Sequence, residues 1–184
     1  MKLQNETDAQ LLQKTGRGDR AAFDLFLLRH LRRTLSYIYQ YTGDWQTAED
    51  IAQHAFMEAY QHANRFQPDR NALTWLFTIV HHRTVDHIRK PKMETVIAND
   101  EMEGMPNPKL LAQLSDQELS GRLHQSLPQL ADVDRALLYL KYQQQLKSKD
   151  IALITDLQPG YVNLRISRAR KKLRLLVENK SILS

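Results

Sequence analysis

Residues 148–174 read SKDIALITDLQPGYVNLRISRARKKLR, and this stretch decides the fold. A short apolar-periodic run from Ser148 to Ile154 is followed by a four-residue connection, Thr155-Asp156-Leu157-Gln158. Pro159 then stands where a helix accepts proline best, at its first position, because the amide it lacks would have no partner there. The helix it opens carries Val162, Leu164, Ile166, Leu173 and Leu176, and six of the ten residues from Arg165 to Arg174 are basic. Short helix, tight turn and long basic helix predict a helix-turn-helix, whose second helix enters a major groove while Arg and Lys neutralise phosphates. A basic amphipathic helix alone would fit a solvated face or a membrane surface as well; the turn and the helix before it favour DNA.

Upstream, the pattern stays helical. Leu137, Leu138 and Leu140 mark a helix from about Asp132 to Tyr142, and Ser115 with Glu118 forms a capping-box signature for one that stops before Pro128. In the N-terminal half, a short helix is expected over about Asp8 to Lys14. Asp19 is placed to cap a helix bearing Phe23, Phe26, Leu27, Leu31, Leu35 and Ile38, which Gly43 stops. Asp44 caps the next, whose stripe of Ala48, Ile51, Ala52, Ala55, Phe56, Ala59 and Tyr60 is rich in small residues suited to close helix approach. The stretch 65–71 holds Pro68 and reads as a loop; Leu73, Leu76, Phe77, Val80 and Ile88 then mark a helix ended by Pro91.

The 184 residues include no cysteine, which excludes disulfides, thiolate metal sites and cysteine nucleophiles. No Gly-rich phosphate loop, nucleophile elbow or carboxylate dyad is visible, so an enzyme is not expected. His81, His82 and His87 do not read as a metal set, since adjacent histidines diverge on a helix; no metal or cofactor is expected. No run approaches the length of a membrane span and the first residues are polar, which points to a cytoplasmic chain. The net charge is +5, with a pI near 9.5, unevenly placed: +2 over residues 1–90, −4 over 91–118 and +7 over 119–184. The middle segment also holds Pro91, Pro106, Pro108 and the acids Asp100, Glu101 and Glu103, and reads as a flexible acidic linker rather than a long surface loop. The expected architecture is all-α: two small helical domains, an N-terminal helix bundle (1–90) and a C-terminal helix-turn-helix (119–184), joined by the linker (91–118).

Taken together, these halves resemble the extracytoplasmic-function sigma factors of bacterial RNA polymerase. Asp8, Leu11, Leu12, Gly18-Asp19, Ala22-Phe23 and Leu31 match the family's opening pattern. Gly43-Asp44, the run Ala48-Glu49-Asp50-Ile51-Ala52-Gln53 and Phe56 match its second conserved helix, and Trp75-Leu76, Ile79, Asp86 and Arg89 its promoter-melting helix. Leu127-Pro128, Leu137-Leu138, Tyr142, Asp150-Ile151-Ala152, Val162, Arg165 and Arg168-Ala169-Arg170 match its helix-turn-helix. The likeness covers about residues 8–90 and 122–177.

The resemblance implies a factor that binds RNA polymerase core, recognises the −10 and −35 promoter elements and helps open the duplex, under control of an anti-sigma factor. It assigns core docking to Glu49, Asp50, Gln53 and His54, although His54 replaces a common Glu; without it, these residues read as an ordinary solvated helix face. Single-stranded −10 DNA is assigned to Arg65, Arg70, Asn71, His81, His82, Arg83, His87, Arg89 and Lys90, with Trp75 expected mainly in the core. His82 stands where the family often has Asn. Double-stranded −35 DNA is assigned to Gly160, Tyr161, Asn163, Leu164, Arg165, Ser167 and Arg168, with Lys171 and Lys172 toward the backbone. Tyr161 and Asn163 depart from the smaller and basic residues common there, and Asp156 from a usual turn Gly. The linker mimics nucleic acid in the polymerase cleft or serves as a tether. Two rivals are a stand-alone helix-turn-helix regulator and a sigma-mimicking adaptor that captures an anti-sigma factor; the basic last helix disfavours the latter.

Overall fold

The computed structural model describes residues 5–89, 123 and 125–179, and these form seven α-helices with no strand among them. The N-terminal unit comprises α1 (Asp8–Gly16), α2 (Arg20–Thr42), α3 (Trp45–His62), a 3-10 turn (Ala63–Arg65) and α4 (Ala72–Arg89). The C-terminal unit comprises a 3-10 turn over Leu127–Gln129, α5 (Asp132–Leu138), α6 (Ser148–Thr155) and α7 (Pro159–Asn179). The expected linker and the Ser115–Glu118 cap lie outside the described residues.

Local chemistry sets most helix ends. Asp19 accepts from the Ala22 amide at 3.1 Å and Asp44 from the Thr47 amide at 2.7 Å, while Asn71 accepts from the Thr74 amide at 2.9 Å and so opens α4. Gly43 closes α2 with a left-handed φ of 65°, a conformation that a β-carbon would strain. Gly16 answers a different need: a Cβ there would sit 2.8 Å from the Asn64 Cα, so α1 packs directly on the backbone of the turn after α3. α1 is fixed to α2 through Asp8, whose carboxylate takes Arg29 Nη1 at 3.0 Å and His30 Nε2 at 2.9 Å. The bond from His30 holds that carboxyl below its usual range, against the opposing effect of burial.

Two departures from the expected periodicity stand out. Tyr60 is exposed at the end of the α3 stripe, its ring edge-on to Phe23 at 5.0 Å, and Ile88 is exposed near the end of α4. The helix expected through Tyr142 widens after Leu138 into a π turn over Tyr139–Gln143. Leu137, Leu138, Tyr139 and Leu140 are all buried, and four consecutive residues cannot share one face of a regular α-helix.

The two units share a continuous apolar core. α5 lies across the C-terminal half of α2, and α6 packs on α4. Tyr37, fully buried, is the centre of the junction: its ring meets Phe77, Tyr41 and, from the C-terminal unit, Tyr139 at 6.1 Å. Tyr139 donates its hydroxyl to the Arg33 carbonyl at 2.9 Å, and burial pushes that hydroxyl's pKa up to about 12, so it remains a donor. Arg135 donates to the Gln40 carbonyl from both Nε (3.1 Å) and Nη2 (2.7 Å), supplying the partner that a carbonyl in a helix's last turn lacks. No helix among the described residues is long and apolar enough to cross a membrane.

Candidate docking face and nucleic-acid interface

On α3, burial of Ala48, Ile51, Ala52, Ala55, Phe56 and Ala59 turns Glu49, Asp50, Gln53 and His54 outward, and all four are exposed. Glu49 and Gln53 rim a mainly apolar groove of about 710 Å3 between α2 and α3. Leu27, Leu31, Leu35 and Phe56 line it, with Met57 and Tyr60 on the α3 side. Asp50 and His54 stand outside the groove. An open apolar trough with acidic and amide groups at its edge is suited to a helix carrying both apolar and basic side chains.

The expected −10 groups divide. Arg65, Arg70, His87 and Arg89 are exposed, whereas Asn71 spends its side-chain oxygen on capping α4; Lys90 lies outside the described residues. Arg83 pairs through Nε with Glu58 of α3 at 2.5 Å. His81 is buried, and its Nδ1 shares a 2.8 Å hydrogen bond with the Tyr37 hydroxyl. Burial first, then the neighbouring His82 and Arg89, push the His81 imidazole down to about 4, although Asp156 acts the other way. His82 is exposed on the next position and hydrogen-bonds through Nε2 to Asp156 Oδ2 of the C-terminal unit at 2.9 Å. Around these groups lies a polar cavity of about 440 Å3, bounded by Glu58, Arg83, Asp86, Arg89 and Asp156. Trp75 is half-buried against the core, its ring edge-on to Phe66 at 5.5 Å.

On α7, Val162, Ile166 and Ala169 are buried, which turns Gly160, Leu164, Ser167, Arg168 and Lys171 to the opposite, exposed face, with Tyr161, Asn163 and Lys172 exposed on its flanks. Arg165 is the exception. Its half-buried guanidinium donates from Nε to Asp134 of α5 at 2.6 Å and from Nη1 to the Tyr161 hydroxyl at 3.2 Å. On the other flank the Ser148 hydroxyl donates to Asn163 Oδ1 at 2.5 Å. Asp134 and Ser148 thus hold two expected base-reading side chains in place. Neither was legible in the sequence, because each lies on another helix at a separation with no periodic signal. Asp156, at the end of α6, has φ 54°, the left-handed geometry the turn requires.

Among the described residues no three or more metal-ligating side chains converge. The three surfaces are an apolar groove on α2 and α3, a polar cavity beside α4 and a basic face on α7.

The sigma-70 region 2 family matches residues 26–93, and the sigma-70 region 4 family matches residues 120–173. The chain is 33% identical over 181 residues to RNA polymerase sigma-H factor of Pseudomonas aeruginosa, covering 92% of this chain and 93% of that protein. It is 30% identical over 174 residues to the extracytoplasmic-function RNA polymerase sigma factor SigW of Bacillus subtilis, covering 89% of this chain and 92% of that one. In fold it is similar to CnrH, solved in complex with the cytosolic domain of CnrY, with a TM-score of 0.68 at 22% identity, covering 95% of this chain and 99% of that chain. A second likeness is to the sigma factor RpoE solved with the anti-sigma factor NepR from Bartonella quintana, with a TM-score of 0.61 at 23% identity over 85% of this chain and 96% of that chain.

Proposed function

Because the chain belongs to the RNA polymerase sigma factors of the extracytoplasmic-function type, we propose that it joins RNA polymerase core in the cytoplasm and directs it to promoters by binding, with no covalent chemistry of its own. Residues 1–90 carry core docking and the −10 element, residues 119–184 carry the −35 element, and residues 91–118 connect them. The observation that carries this reading is the order of two surfaces of different chemistry along one chain, a docking groove on α3 and a basic face on α7, each inside its matching sigma-70 region.

Docking uses Glu49, Asp50, Gln53 and His54 beside the groove, where charge-assisted hydrogen bonds to basic groups on a polymerase helix add to apolar contact. Arg65, Arg70, His87 and Arg89 bind the backbone of the melted −10 strand, and Arg83, His81, His82 and Asn71 join them only after giving up the partners described above. Duplex opening costs a few kcal/mol per extruded base, so these groups must hold the separated strand firmly enough to repay it. On α7, Leu164, Ser167, Arg168 and the restrained Arg165 and Asn163 read base edges, with Lys171 and Lys172 on phosphates. An anti-sigma factor that competes for the groove or the basic face holds the protein inactive. Run-off transcription with purified polymerase core, with and without the chain, tests the reading; transcripts that do not depend on the chain would overturn it.

A further inference from the structure

Ser148 opens α6 and Asn163 stands on an exposed flank of α7, and the Ser148 hydroxyl donates to Asn163 Oδ1 at 2.5 Å. A serine at a helix start ordinarily spends its hydroxyl on the free amides of its own helix. This one does not. α6 is entered through Lys147, whose side chain makes no cap, and the Ser148 hydroxyl reaches across to the next helix instead. The bond fixes one arm of a planar amide. Oδ1 is held on α6, while Nδ2, on the other arm, is turned away from Ser148 and has no partner among the described residues.

An asparagine free to rotate reads adenine with both arms, accepting from N6 with its oxygen and donating to N7 with its nitrogen. With its oxygen already accepting from Ser148, the Asn163 amide meets a base through N–H alone. Guanine offers acceptors at both N7 and O6, whereas adenine sets its N6 donor beside N7. The neighbouring groups on this face have the same polarity. Arg165 and Arg168 can only donate, the Tyr161 oxygen accepts from Arg165 Nη1, and no Asp or Glu occurs from Gly160 to Lys172.

Resting on the sigma-factor reading of α7, we propose that Ser148 is a positioning residue for −35 recognition, holding the Asn163 amide so that it selects guanine against adenine at the base it meets. Ser148 touches no base in this role; its hydroxyl decides which arm of the amide does.

The full chain tests it through run-off transcription with core polymerase from a promoter library randomised over the −35 element. Asn163→Ala identifies the position that Asn163 reads, as the one whose preference it flattens; if it flattens none, the proposal falls. At that position the wild-type chain should favour guanine over adenine. Ser148→Ala should move the guanine-to-adenine ratio about threefold to tenfold toward adenine, the size of one hydrogen bond. Ser148→Thr keeps a hydroxyl and should retain the wild-type ratio. The positions set by Arg165 should not move, and the melting temperature should stay at the wild-type value because the lost bond is solvent-exposed. An unchanged ratio overturns the proposal, as does a wild-type preference for adenine that Ser148→Ala lowers. An equal loss on every promoter also overturns it, since Ser148 would then be a phosphate contact. The same library is selected in parallel by binding to the chain without polymerase. Absence of chain-dependent transcripts beside the expected shift in bound sequences sinks the sigma-factor reading alone, whereas transcription with an unmoved ratio sinks only the role of Ser148.

Discussion

Replacing Arg135 by Ala should separate the two units more than any other single surface-facing change. The Arg135 side chain is only 14% exposed, and its guanidinium serves three acceptors: the Gln40 carbonyl, the Leu130 carbonyl at 2.9 Å and Asp132 Oδ1 at 2.8 Å. Gln40 lies in the last turn of α2, and the amide four residues on, that of Asp44, turns instead to the Thr42 hydroxyl. Truncating Arg135 therefore leaves the Gln40 carbonyl without a charged donor at a packed junction. Hydrogen bonds to charged groups contribute about 1.5–3 kcal/mol, and a C-terminal helix cation adds a few tenths, so a loss of about 2–4 kcal/mol is expected. With a urea slope near 2 kcal/mol per molar, the unfolding midpoint followed by circular dichroism should fall by about 1–2 M. Asp132→Ala is the control, because that carboxylate is 54% exposed and its pair with Arg135 should contribute under about 1 kcal/mol. A midpoint for Arg135→Ala within about 0.3 M of wild type, or equal damage from Asp132→Ala, would refute the capping role of Arg135.

Three further outcomes are expected. The fold holds His81 neutral with a pKa of about 4, below the roughly 6.5 of an unfolded histidine, so its contribution is complete above about pH 6.5 and is lost as pH falls toward 4. Melting at pH 7.5 and 4.5 should reveal up to about 3 kcal/mol of acid destabilisation, reduced in His81→Gln; a slope that survives the substitution places the titration elsewhere. Arg165→Ala should relax preference at one or two −35 positions by about 1–3 kcal/mol, and Asp134→Ala should do so in part by freeing the guanidinium, whereas Lys171→Ala weakens all promoters nearly equally. A transcribed promoter library in which the three variants act alike would reduce α7 to an electrostatic helix. Finally, Asp50→Ala combined with Gln53→Ala should keep the wild-type melting temperature while losing core polymerase in a pull-down, since both side chains are exposed; undiminished capture moves the docking face away from α3.

What the sequence disclosed is what acts locally. Asp19, Asp44 and Pro159 each satisfy or forgo an amide within one turn, and Gly43 takes a backbone angle that its neighbours cannot, so helix starts and stops are written in place. The α3 stripe from Ala48 to Ala59 likewise foretold which side chains would face outward, although Tyr60 at its end is exposed. The junction between units was not legible. Arg135 and Gln40 are 95 positions apart, and an arginine in the first turns of a short helix reads as an ordinary solvated charge until its acceptor is known. His30 gave no signal either, because its partner Asp8 belongs to a helix whose packing is set by Gly16 against Asn64. For the proposed sites, helical spacing indicated which faces are exposed, but not that Asp134, Ser148 and Asp156 already hold side chains on them.

The distribution of aromatic rings has an optical consequence. Both tryptophans of the chain, Trp45 and Trp75, belong to the N-terminal unit, one stacked on Tyr39 at 4.6 Å and the other edge-on to Phe66. Tyr37, Tyr41 and Tyr139 instead gather where the two units meet. Light absorbed at the red edge, where only indole responds, therefore reports on α3 and α4, which carry both rings. Light absorbed by tyrosine adds the seam to this view, together with Tyr39, Tyr60, Tyr142 and Tyr161 elsewhere. One unlabelled sample excited at two wavelengths thus compares the N-terminal unit with the whole chain, and a change in the red-edge signal is placed at α3 or α4.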